Sequence, residues 1–457
     1  MSQNIIKELT EIVGDKGILT GNDVSQRMDG WIGAPACKAI AIIRPASTEE
    51  LSAVMKLCHQ HDQSVTTHGG LTGLVGGGIT RSTDIVVSLE RMRNISHVDT
   101  QNRTLTTEAG VTLQAVQEAA DDNGLFYPVD LGARGSATIG GNIATNAGGN
   151  RVLRYGMTRE SILGLEAVLA DGTIISSMSG VIKNNTGYNL PHLFIGSEGT
   201  LGIVTRAVLR LRPKLQGEAT ALVAVEKFEH LSRLLNMAEA SLGGSLSSFE
   251  VMWDNFYSLV TGFERHSAPL PVGSPFYVII ETQGNSNELE QERLENVLGE
   301  ALDLQLITDA VVTQSVSERE KVWAIRDDIE ALFSLAPLHA FDISLPVTVM
   351  EEYLTTLQTE LDQKWPDNRC IVFGHLGDGN LHIIIGQVSA EEKKQVEEIV
   401  YRNVHPYGGS ISAEHGIGYE KKPYLQYSRS KEEIALMKLI KQAIDPKNLL
   451  NPGKMFD

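Results

Sequence analysis

The chain has 457 residues, 42% of them hydrophobic, and its formal net charge at pH 7 is −18. This length exceeds what one hydrophobic core supports, so we expect two or three domains. The acidic balance argues against a protein that holds nucleic-acid phosphates through released counterions, and it disfavours docking on anionic lipid. The three cysteines lie far apart in the sequence without a CxxC pair, so they indicate neither a disulfide framework nor a cysteine zinc cluster. Since no apolar run approaches the roughly 20 residues of a membrane span and no signal-peptide pattern opens the sequence, we expect a cytoplasmic protein.

The first half of the chain predicts short strands that alternate with helices. Ser47 and Glu50 have the spacing of a capping box and follow an apolar, strand-like stretch. Thr112 precedes a second helical pattern, which ends near Gly124. We therefore expect a helical lead-in over residues 1–36 and a domain over 37–215, with strands over 39–43, 84–89 and 104–108 and helices after Ser47 and Thr112.

Glycines are concentrated in two segments of this domain, 67–73 and 132–149. Consecutive backbone amides in such loops form a concave nest that binds anions, and glycine lets a pyrophosphate approach the backbone closely. Neither segment contains the GxGxxG pattern of a Rossmann fold or the Walker pattern of a P-loop. The two segments predict a nucleotide site of another kind, with ordinary turns in a glycine-rich sheet as the alternative.

The composition changes after Arg212-Pro213, which predicts a domain boundary near residue 215. Beyond it, apolar strand-like stretches alternate with long charged helical patterns. This alternation predicts an α+β domain in which helices cover an antiparallel sheet, and we place it over 216–425. The last segment, 426–457, predicts a helix that stops at Asp445-Pro446, followed by a short tail. Within the second domain we expect strands over 219–224 and 275–280, and helices over 227–242 and 287–302.

Two histidines seven positions apart, His375 and His382, flank a glycine-rich turn. The apolar residues on both sides of this turn predict a hairpin that brings the two imidazoles to one end of a sheet. Downstream, Glu414 and His415 form an adjacent carboxylate and imidazole pair. Such ligands suit a zinc-like or manganese-like divalent ion, with His415 as a proton acceptor beside it. Taken alone, the segment leaves open two hairpin histidines with ordinary hydrogen bonds.

Together with several other segments, these features resemble a known flavoprotein family. The glycine segments resemble the FAD domain of the vanillyl-alcohol-oxidase type. The second half of the chain is similar to the partner domain of the D-2-hydroxyacid dehydrogenase branch, which includes D-lactate, glycolate and D-2-hydroxyglutarate dehydrogenases. The resemblance implies an α+β fold with a two-subdomain FAD-binding domain, a C-terminal FAD-linked oxidase domain, and a tail over 426–457 that returns to the FAD domain. It extends from about residue 37 to Lys454 and is carried by the glycine segments and by 154–156, 169–173, 183–188 and 195–203.

The resemblance implies that the first glycine segment holds the FAD pyrophosphate through backbone amides and that the second lies beside the flavin ring. Ile203 would meet the adenine, and Asn451 would reach back to the flavin. Leu71 stands where members with covalent flavin often carry histidine, so non-covalent FAD is favoured. His68 is a weak candidate for attachment and is expected to face solvent. The residues implied at FAD are His68, Gly69, Gly70, Leu71, Thr72, Gly73, Gly135, Ser136, Thr138, Gly141, Asn142, Thr145, Ile203 and Asn451.

For catalysis, the resemblance implies that His375, His382 and Glu414 bind a divalent metal, zinc or manganese. His415 would then be the general base, because imidazole titrates near working pH. Arg326 lies where the family binds the substrate carboxylate, and its planar fork suits that task. The substrate would be a small D-2-hydroxyacid. The electrons would pass to a quinone, an electron-transfer flavoprotein or another carrier, and a homodimer is left open.

The sequence departs from the D-2-hydroxyglutarate pattern near Arg326. Members specific for that diacid tend to carry threonine, lysine and asparagine where this chain has Glu330, Ala340 and Ile384. An acid and the loss of a cation weaken a site for a second carboxylate, since like charges repel in a low dielectric. His339 is a partial replacement for the lysine. The pattern therefore favours D-lactate or a related acid with a short or uncharged tail, with D-2-hydroxyglutarate as the alternative.

Three further interpretations stay open. The flavin could be reoxidised directly by oxygen, which would make the protein an oxidase. A metallohydrolase would use the same ligands to activate water, but the chain has no HExxH helix and that activity leaves the glycine segments unexplained. A non-catalytic subunit would keep FAD for structure, and the intact Glu414 and His415 pair argues against it.

Overall fold

In a computed structural model, which describes residues 2–31 and 33–456, the chain divides into two compact units. The first unit comprises the chain up to Gly149, the segment Gly156–Lys214, and the chain from Glu414 onward. The second comprises Asn150–Tyr155 and Leu215–Ala413. Glu414 is thus the residue at which the chain re-enters the first unit. None of the described helices combines the length and the apolar composition that a membrane span requires.

The described part of the first unit contains sheets of four, five and two strands, in the orders β1-β2-β4-β3, β5-β6-β10-β8-β9 and β11-β7. In the four-stranded sheet β4 pairs in parallel with both β2 and β3, whereas the five-stranded sheet is antiparallel throughout. The strands are β1 Ile18–Thr20, β2 Ala41–Ile43, β3 Val65–His68, β4 Ile85–Ser88, β5 Ile95–Asp99, β6 Thr104–Glu108, β7 Leu125–Phe126, β8 Ile162–Val168, β9 Ile174–Ser177, β10 Ile203–Arg210 and β11 Arg212–Pro213.

Local sequence signals explain where several helices of this unit begin. Ser47 caps its helix by accepting a hydrogen bond from the Glu50 amide, as the spacing predicts, but the Glu50 carboxylate accepts from the Ala46 amide instead of completing the box on Ser47. Thr112 caps the next long helix through the Ala115 amide. The helices are Ser2–Val13, Asn22–Ser25, Thr48–Gln60, Leu113–Asp121, Ile139–Thr145, Pro191–Phe194 and Lys431–Ile444.

The second unit is built on one seven-stranded sheet with the order β15-β12-β14-β13-β17-β18-β16. Its neighbouring strands pair antiparallel throughout, which confirms the predicted antiparallel sheet. The strands are β12 Gly217–Val225, β13 Leu246–Trp253, β14 Phe276–Gly284, β15 Asp309–Val312, β16 Leu338–Ser344, β17 Arg369–His375 and β18 Asn380–Gly386.

Helices cover both faces of this sheet. Neighbouring residues of a strand point to opposite faces, so Met252 and Trp253 at the end of β13 mark the two sides. Met252 belongs to an apolar cluster with Phe373 and the helices Asp254–Thr261 and Val316–Arg326. Trp253 packs on the other side with Phe228 and Phe276. The unit's helices are Val152–Tyr155, Phe228–Leu242, Asp254–Thr261, Asn287–Asp303, Val316–Arg326, Met350–Lys364 and Lys393–Val404.

Candidate functional site

The two glycine segments lie against each other in the first unit. A Cβ added to Gly70 would lie 2.2 Å from the carbonyl oxygen of Ser136, and one on Gly69 would lie 2.9 Å from the Thr138 hydroxyl oxygen. Both positions therefore require glycine for close packing of one loop on the other. Leu71 keeps φ at +56°, a left-handed conformation that alternates with right-handed residues in anion nests. The structure thus brings together two segments that the sequence implicated at FAD.

His68 does not face solvent, and this expectation was wrong. It is the last residue of β3 and only 4% exposed, and its Nε2 lies 2.8 Å from the carbonyl oxygen of Gly78. Asp29 approaches the same nitrogen at 3.7 Å. Burial lowers the pKa of His68, although the Gly78 carbonyl and Asp29 oppose this change. His68 thereby connects the start of the glycine-rich loop to Gly78 near its end, which is a structural role.

Asn451 connects the tail of the chain to the start of the first glycine segment. Its Oδ1 accepts the Thr67 amide at 2.9 Å, and its Nδ2 donates to the Glu198 carbonyl at 2.6 Å. The backbone amide of Asn451 in turn donates to the Val65 carbonyl, so the tail runs beside β3. Asn451 therefore orders the backbone at which the nest begins, and its contact with the flavin stays a prediction.

Buried polar atoms in these loops fit a bound flavin nucleotide. Among the described residues, the Asn142 amide nitrogen and the Thr67 hydroxyl are buried without a hydrogen-bond partner, and such atoms are rare unless a ligand or water completes them. Thr138 and Thr145 bond within their own helix, through the Gly141 amide and the Gly141 carbonyl. The other implied residues lie where the segments place them: Thr72 half-buried, Gly73 and Gly135 exposed, and Ile203 buried at the start of β10.

In the second unit, the hairpin β17–β18 brings His375 and His382 together as predicted. Phe373 pairs with His382 in the ladder, so the two histidines lie on adjacent strands near the turn. Their ring centroids are 5.1 Å apart and the rings are nearly perpendicular. Asp378, in the turn, accepts the Asn380 amide at 3.2 Å, which is a turn contact. The hairpin therefore places the two imidazoles close together, as is required if both are to bind the same metal ion.

Glu250 of β13 holds both His375 and Arg326. Its Oε1 lies 2.7 Å from His375 Nδ1, and its Oε2 accepts Arg326 Nε at 2.9 Å. Glu250 is 1% exposed. Burial by itself would raise the pKa of Glu250, but its contacts with His375 and Arg326 hold it below its usual range. The sequence interpretation missed Glu250, and the signal was a lone acid in the apolar stretch Phe249–Trp253.

The tautomer of His375 follows from its two neighbours. Arg326 Nη2 lies 3.2 Å from His375 Nε2, and a guanidinium has only donors, so Nε2 carries the lone pair. Nδ1 then carries the proton and donates to Glu250. A histidine that donates one ring N–H to a carboxylate and offers the other nitrogen as acceptor has the protonation state of a metal ligand.

His382 has a carboxylate partner as well. Asp342 of β16 is its ladder neighbour, and Asp342 Oδ1 lies 3.5 Å from His382 Nδ1. Asn380 donates to the same carboxylate at 2.5 Å. Burial lowers the pKa of His382 and so favours its neutral form, while Asp342 opposes this effect. The donor set of two neutral imidazoles, each backed by a carboxylate, fits a divalent ion.

Arg326 ends a helix that is attached to the sheet by charged contacts. Arg319, Trp323 and Arg326 follow at i, i+4 and i+7, which places them on one helix face. Each contacts a glutamate of a different strand: Arg319 meets Glu218 at 3.1 Å, Trp323 Nε1 donates to Glu281 at 3.0 Å, and Arg326 meets Glu250. Arg326 also lies over the Phe373 ring at 5.1 Å. The last of these contacts, with Glu250, holds Arg326 beside the hairpin histidines.

Glu414 and His415, the remaining predicted residues, belong to the first unit. His415 has φ at +67°, an uncommon conformation for a histidine. The Glu198 carboxylate, in the first unit as well, accepts the Ile417 and Gly418 amides at 2.6 and 2.8 Å. Glu198 therefore holds the turn that follows His415, a contact that no sequence pattern revealed.

The row of side chains beside His382 is apolar. Ala340 of β16, Ile384 of β18 and Ile371 of β17 are ladder neighbours, two residues along from Asp342, His382 and Phe373. By the period-two rule they share the face of His382. His339 points to the opposite face and bonds the carbonyls of Val388 and Ser389, so the idea that it replaces the lysine was wrong.

Comparison with known proteins decides the family. Residues 39–177 match the FAD binding domain model, and residues 214–455 match the model of FAD linked oxidases, C-terminal domain. D-2-hydroxyglutarate dehydrogenase of Xanthomonas citri pv. viticola is 40% identical, with 96% of this chain and 92% of that protein aligned. The enzyme of the same name from Stutzerimonas stutzeri is 34% identical over 99% of this chain and 98% of its own length. The chain belongs to the FAD-dependent D-2-hydroxyacid dehydrogenase family. It is therefore a flavin-dependent oxidoreductase, and the resemblance inferred from the sequence is confirmed.

Other matches agree with this assignment. A Schizosaccharomyces pombe protein, named provisionally as a D-lactate dehydrogenase, is 34% identical over 99% of this chain and 90% of that protein. Among solved structures, p-cresol methylhydroxylase superposes with a TM-score of 0.77 at 15% identity, covering 100% of this chain and 97% of that one. This likeness confirms the vanillyl-alcohol-oxidase type of fold.

Proposed function

We propose that this family member oxidises a D-2-hydroxyacid to the 2-oxoacid, with non-covalent FAD and a divalent metal, zinc or manganese. The observation that carries the proposal is the convergence of Arg326 and His375 on Glu250, beside His382, in a chain with an FAD binding domain. The Arg326 guanidinium can bind a carboxylate, and the two neighbouring imidazoles can bind a metal ion. Together they match the carboxylate and the adjacent hydroxyl of a 2-hydroxyacid.

The roles of the residues follow from their chemistry. Arg326 would hold the substrate carboxylate, since its guanidinium has N–H donors beyond those given to Glu250 and His375. His375, His382 and Glu414 would bind the metal, which when bound supplies a Lewis acid that favours ionisation of the hydroxyl. His415 would take the hydroxyl proton. FAD, when bound, supplies the acceptor for the hydride.

For the substrate tail, we propose a short or uncharged group, as in D-lactate. The row Ala340, Ile384 and Ile371 beside His382 carries no charge for a second carboxylate, and Glu330 is an exposed acid on the segment Ile329–Leu335. D-2-hydroxyglutarate is the second candidate, and the names of the Xanthomonas and Stutzerimonas relatives favour it. The two acids differ only in the tail, so a direct comparison of them decides.

We propose further that electrons leave to a quinone, an electron-transfer flavoprotein or another carrier, with a homodimer as one candidate for the oligomeric state. Hydrogen peroxide formed in step with substrate would identify an oxidase instead. Light scattering on the purified protein measures the oligomeric state.

Anaerobic visible spectroscopy tests the proposed function directly. The purified protein is titrated with D-lactate, D-2-hydroxyglutarate, D-malate and glycolate, with L-lactate as the control for chirality. We expect a D-acid to bleach the long-wavelength flavin band, a chelator to prevent bleaching, and zinc or manganese to restore it. A flavin that none of these acids reduces would contradict the proposal, and bleaching that survives complete metal removal would contradict the metal's role.

A further inference from the structure

Glu250 is the point at which the metal-binding and substrate-binding parts of the second unit meet. It contacts His375 through Oε1 at 2.7 Å and Arg326 through Oε2 at 2.9 Å, and neither contact is shared with solvent because the side chain is 1% exposed. The contacts span strands β13 and β17 and the helix Val316–Arg326. One carboxylate therefore orients two groups from separate elements.

We propose that Glu250 is a positioning residue that sets the His375 tautomer for metal binding and the Arg326 orientation for the substrate carboxylate at the same time. The inference rests on the proposed function and deepens it. A carboxylate oxygen accepts only, so Oε1 requires the proton on His375 Nδ1 and leaves the lone pair on Nε2. Arg326 Nη2 lies 3.2 Å from Nε2 and donates to this lone pair, so a metal bound at Nε2 would take the place of that hydrogen bond. The second oxygen fixes the Nε edge of Arg326, so the guanidinium presents its remaining donors in one direction.

A carboxylate is needed for both tasks, and an amide cannot replace it. Gln at this position would have one oxygen and one NH₂ group, so either Arg326 or His375 would meet a donor. If the NH₂ group met His375 Nδ1, the imidazole would carry its proton on Nε2 and lose its ligand atom. Glu250→Gln thus keeps the size of the side chain while it removes the double acceptor.

Glu281 supplies the matched control. It lies on the neighbouring strand β14 and is 2% exposed. Its carboxylate accepts hydrogen bonds from the Ser247 hydroxyl and from Trp323, which belongs to the helix that carries Arg326. It makes no hydrogen bond or ion pair with His375 or Arg326 among the contacts of the described residues. Glu281→Gln therefore removes a buried carboxylate from the same sheet and the same helix contact without touching either partner of Glu250.

The test measures Zn²⁺ and Mn²⁺ affinity by chelator competition, together with KM for the acid that reduces the wild-type flavin at saturating metal. For Glu250→Gln we expect metal affinity to fall about 10- to 100-fold, the usual effect of losing the partner of a ligating histidine. KM should rise, while flavin content and far-ultraviolet circular dichroism stay as in the wild type. Glu250→Asp should recover part of both losses, and Glu281→Gln should match the wild type.

A double-mutant cycle with Arg326→Met separates the effect of Glu250 on metal binding from its effect on substrate binding. In that background Glu250→Gln should no longer change KM but should still weaken metal binding. Wild-type metal affinity in the folded fraction of Glu250→Gln, or equal losses in Glu281→Gln, would reduce Glu250 to a packing role and overturn the inference. If no D-2-hydroxyacid reduces the wild-type flavin, the proposed function fails, whereas the metal titration still reports whether Glu250 acts on His375.

Discussion

The Glu198 carboxylate accepts the backbone amide of Ile417 at 2.6 Å and thereby fixes the turn that follows His415. Gly418 donates to the same carboxylate, and a Cβ on Gly416 would lie 2.5 Å from Glu198 Oε1. Burial raises the pKa of Glu198, although these two amides favour its ionised form. His415 lies two residues before Ile417 and has a left-handed φ of +67°. Because a buried carboxylate accepts two backbone amides of this turn, we infer that the position of the turn is important for His415.

Replacing Glu198 by glutamine should therefore loosen the turn that carries His415. Gln offers one acceptor where two amides donate, and losing one hydrogen bond to a charged group costs about 1.5–3 kcal/mol. We expect kcat to fall about tenfold or more with KM little changed, since about 1.4 kcal/mol corresponds to a factor of ten. Steady-state kinetics with the reducing acid measures both constants.

Glu166→Gln is the control for Glu198→Gln. Glu166 is a buried acid of the same unit, but its partners are the hydroxyls of Thr48, Ser176 and Thr205. Its variant should keep the wild-type kcat. A Glu198→Gln protein with wild-type kcat would show that the turn after His415 has no part in turnover.

The sequence predicted the hairpin of His375 and His382 because that signal is local: a glycine turn between two apolar stretches. The same holds for the capped helix that begins after Ser47, whose cap lies three residues from its partner. Propensity and capping act over a few residues, so one stretch of sequence contains all the information needed.

Partners across strands could not be predicted in this way. Glu250 meets His375 only because β13 and β17 pair in one particular register, and no local pattern sets that register. His68 was misjudged for a related reason: its partner, the Gly78 carbonyl, is brought back by the loop itself. His68 was expected to face solvent, whereas the glycine-rich loop returns to it and the side chain is buried.

Replacing either hairpin histidine by asparagine should strongly reduce turnover and leave the flavin bound. His375→Asn and His382→Asn each remove an imidazole ligand, and a Lewis acid contributes several kcal/mol, so we expect kcat/KM to fall at least about 100-fold. Flavin content should be unchanged because the FAD binding domain lies in residues 39–177. Metal content per flavin, measured by mass spectrometry, should fall in parallel.

His266→Asn provides the comparison for these variants. His266 also pairs with a carboxylate, Asp328 at 2.7 Å, but it is not part of the hairpin. We expect normal metal content and turnover from it. Full activity in metal-depleted His375→Asn would exclude a catalytic metal at the hairpin.

A cation at position 340 should shift the preference toward a diacid. Ala340 is exposed, and it lies two residues from Asp342 on the face of His382. Ala340→Lys places an ammonium beside the proposed tail position, and a gain of about 1.4 kcal/mol would change selectivity tenfold. We expect the ratio of kcat/KM for D-2-hydroxyglutarate over D-lactate to rise by about that factor.

Ala340→Met controls for the length of the lysine side chain without its charge. If methionine changes the ratio as much as lysine does, the effect is steric and the tail does not lie along this row. An unchanged ratio in both variants would place the tail elsewhere.

Lys454 should make the stability of the protein depend on pH in the alkaline range. It is 3% exposed, and burial lowers its pKa to about 8, against the attraction of Asp84, Asp29 and Glu198. The unfolded chain keeps this proton up to about pH 10.4. Between about pH 8 and pH 10 the unfolded state thus binds more protons than the native state, so stability rises with pH relative to a chain without Lys454. Below about pH 8 both states are protonated and the penalty is constant.

Thermal unfolding of the flavin-free protein and of Lys454→Met, from pH 7 to pH 10, measures this effect. The Tm of the wild type minus that of the variant should increase with pH, and the underlying free energy is on the order of 3 kcal/mol over the full window. Lys447→Met, which removes a lysine paired with Asp62 at the surface of the same unit, should not show this increase. A flat difference for Lys454→Met would mean that the attraction of its three carboxylate neighbours cancels the effect of burial on the ammonium, and a difference that falls with pH would mean that this attraction exceeds it.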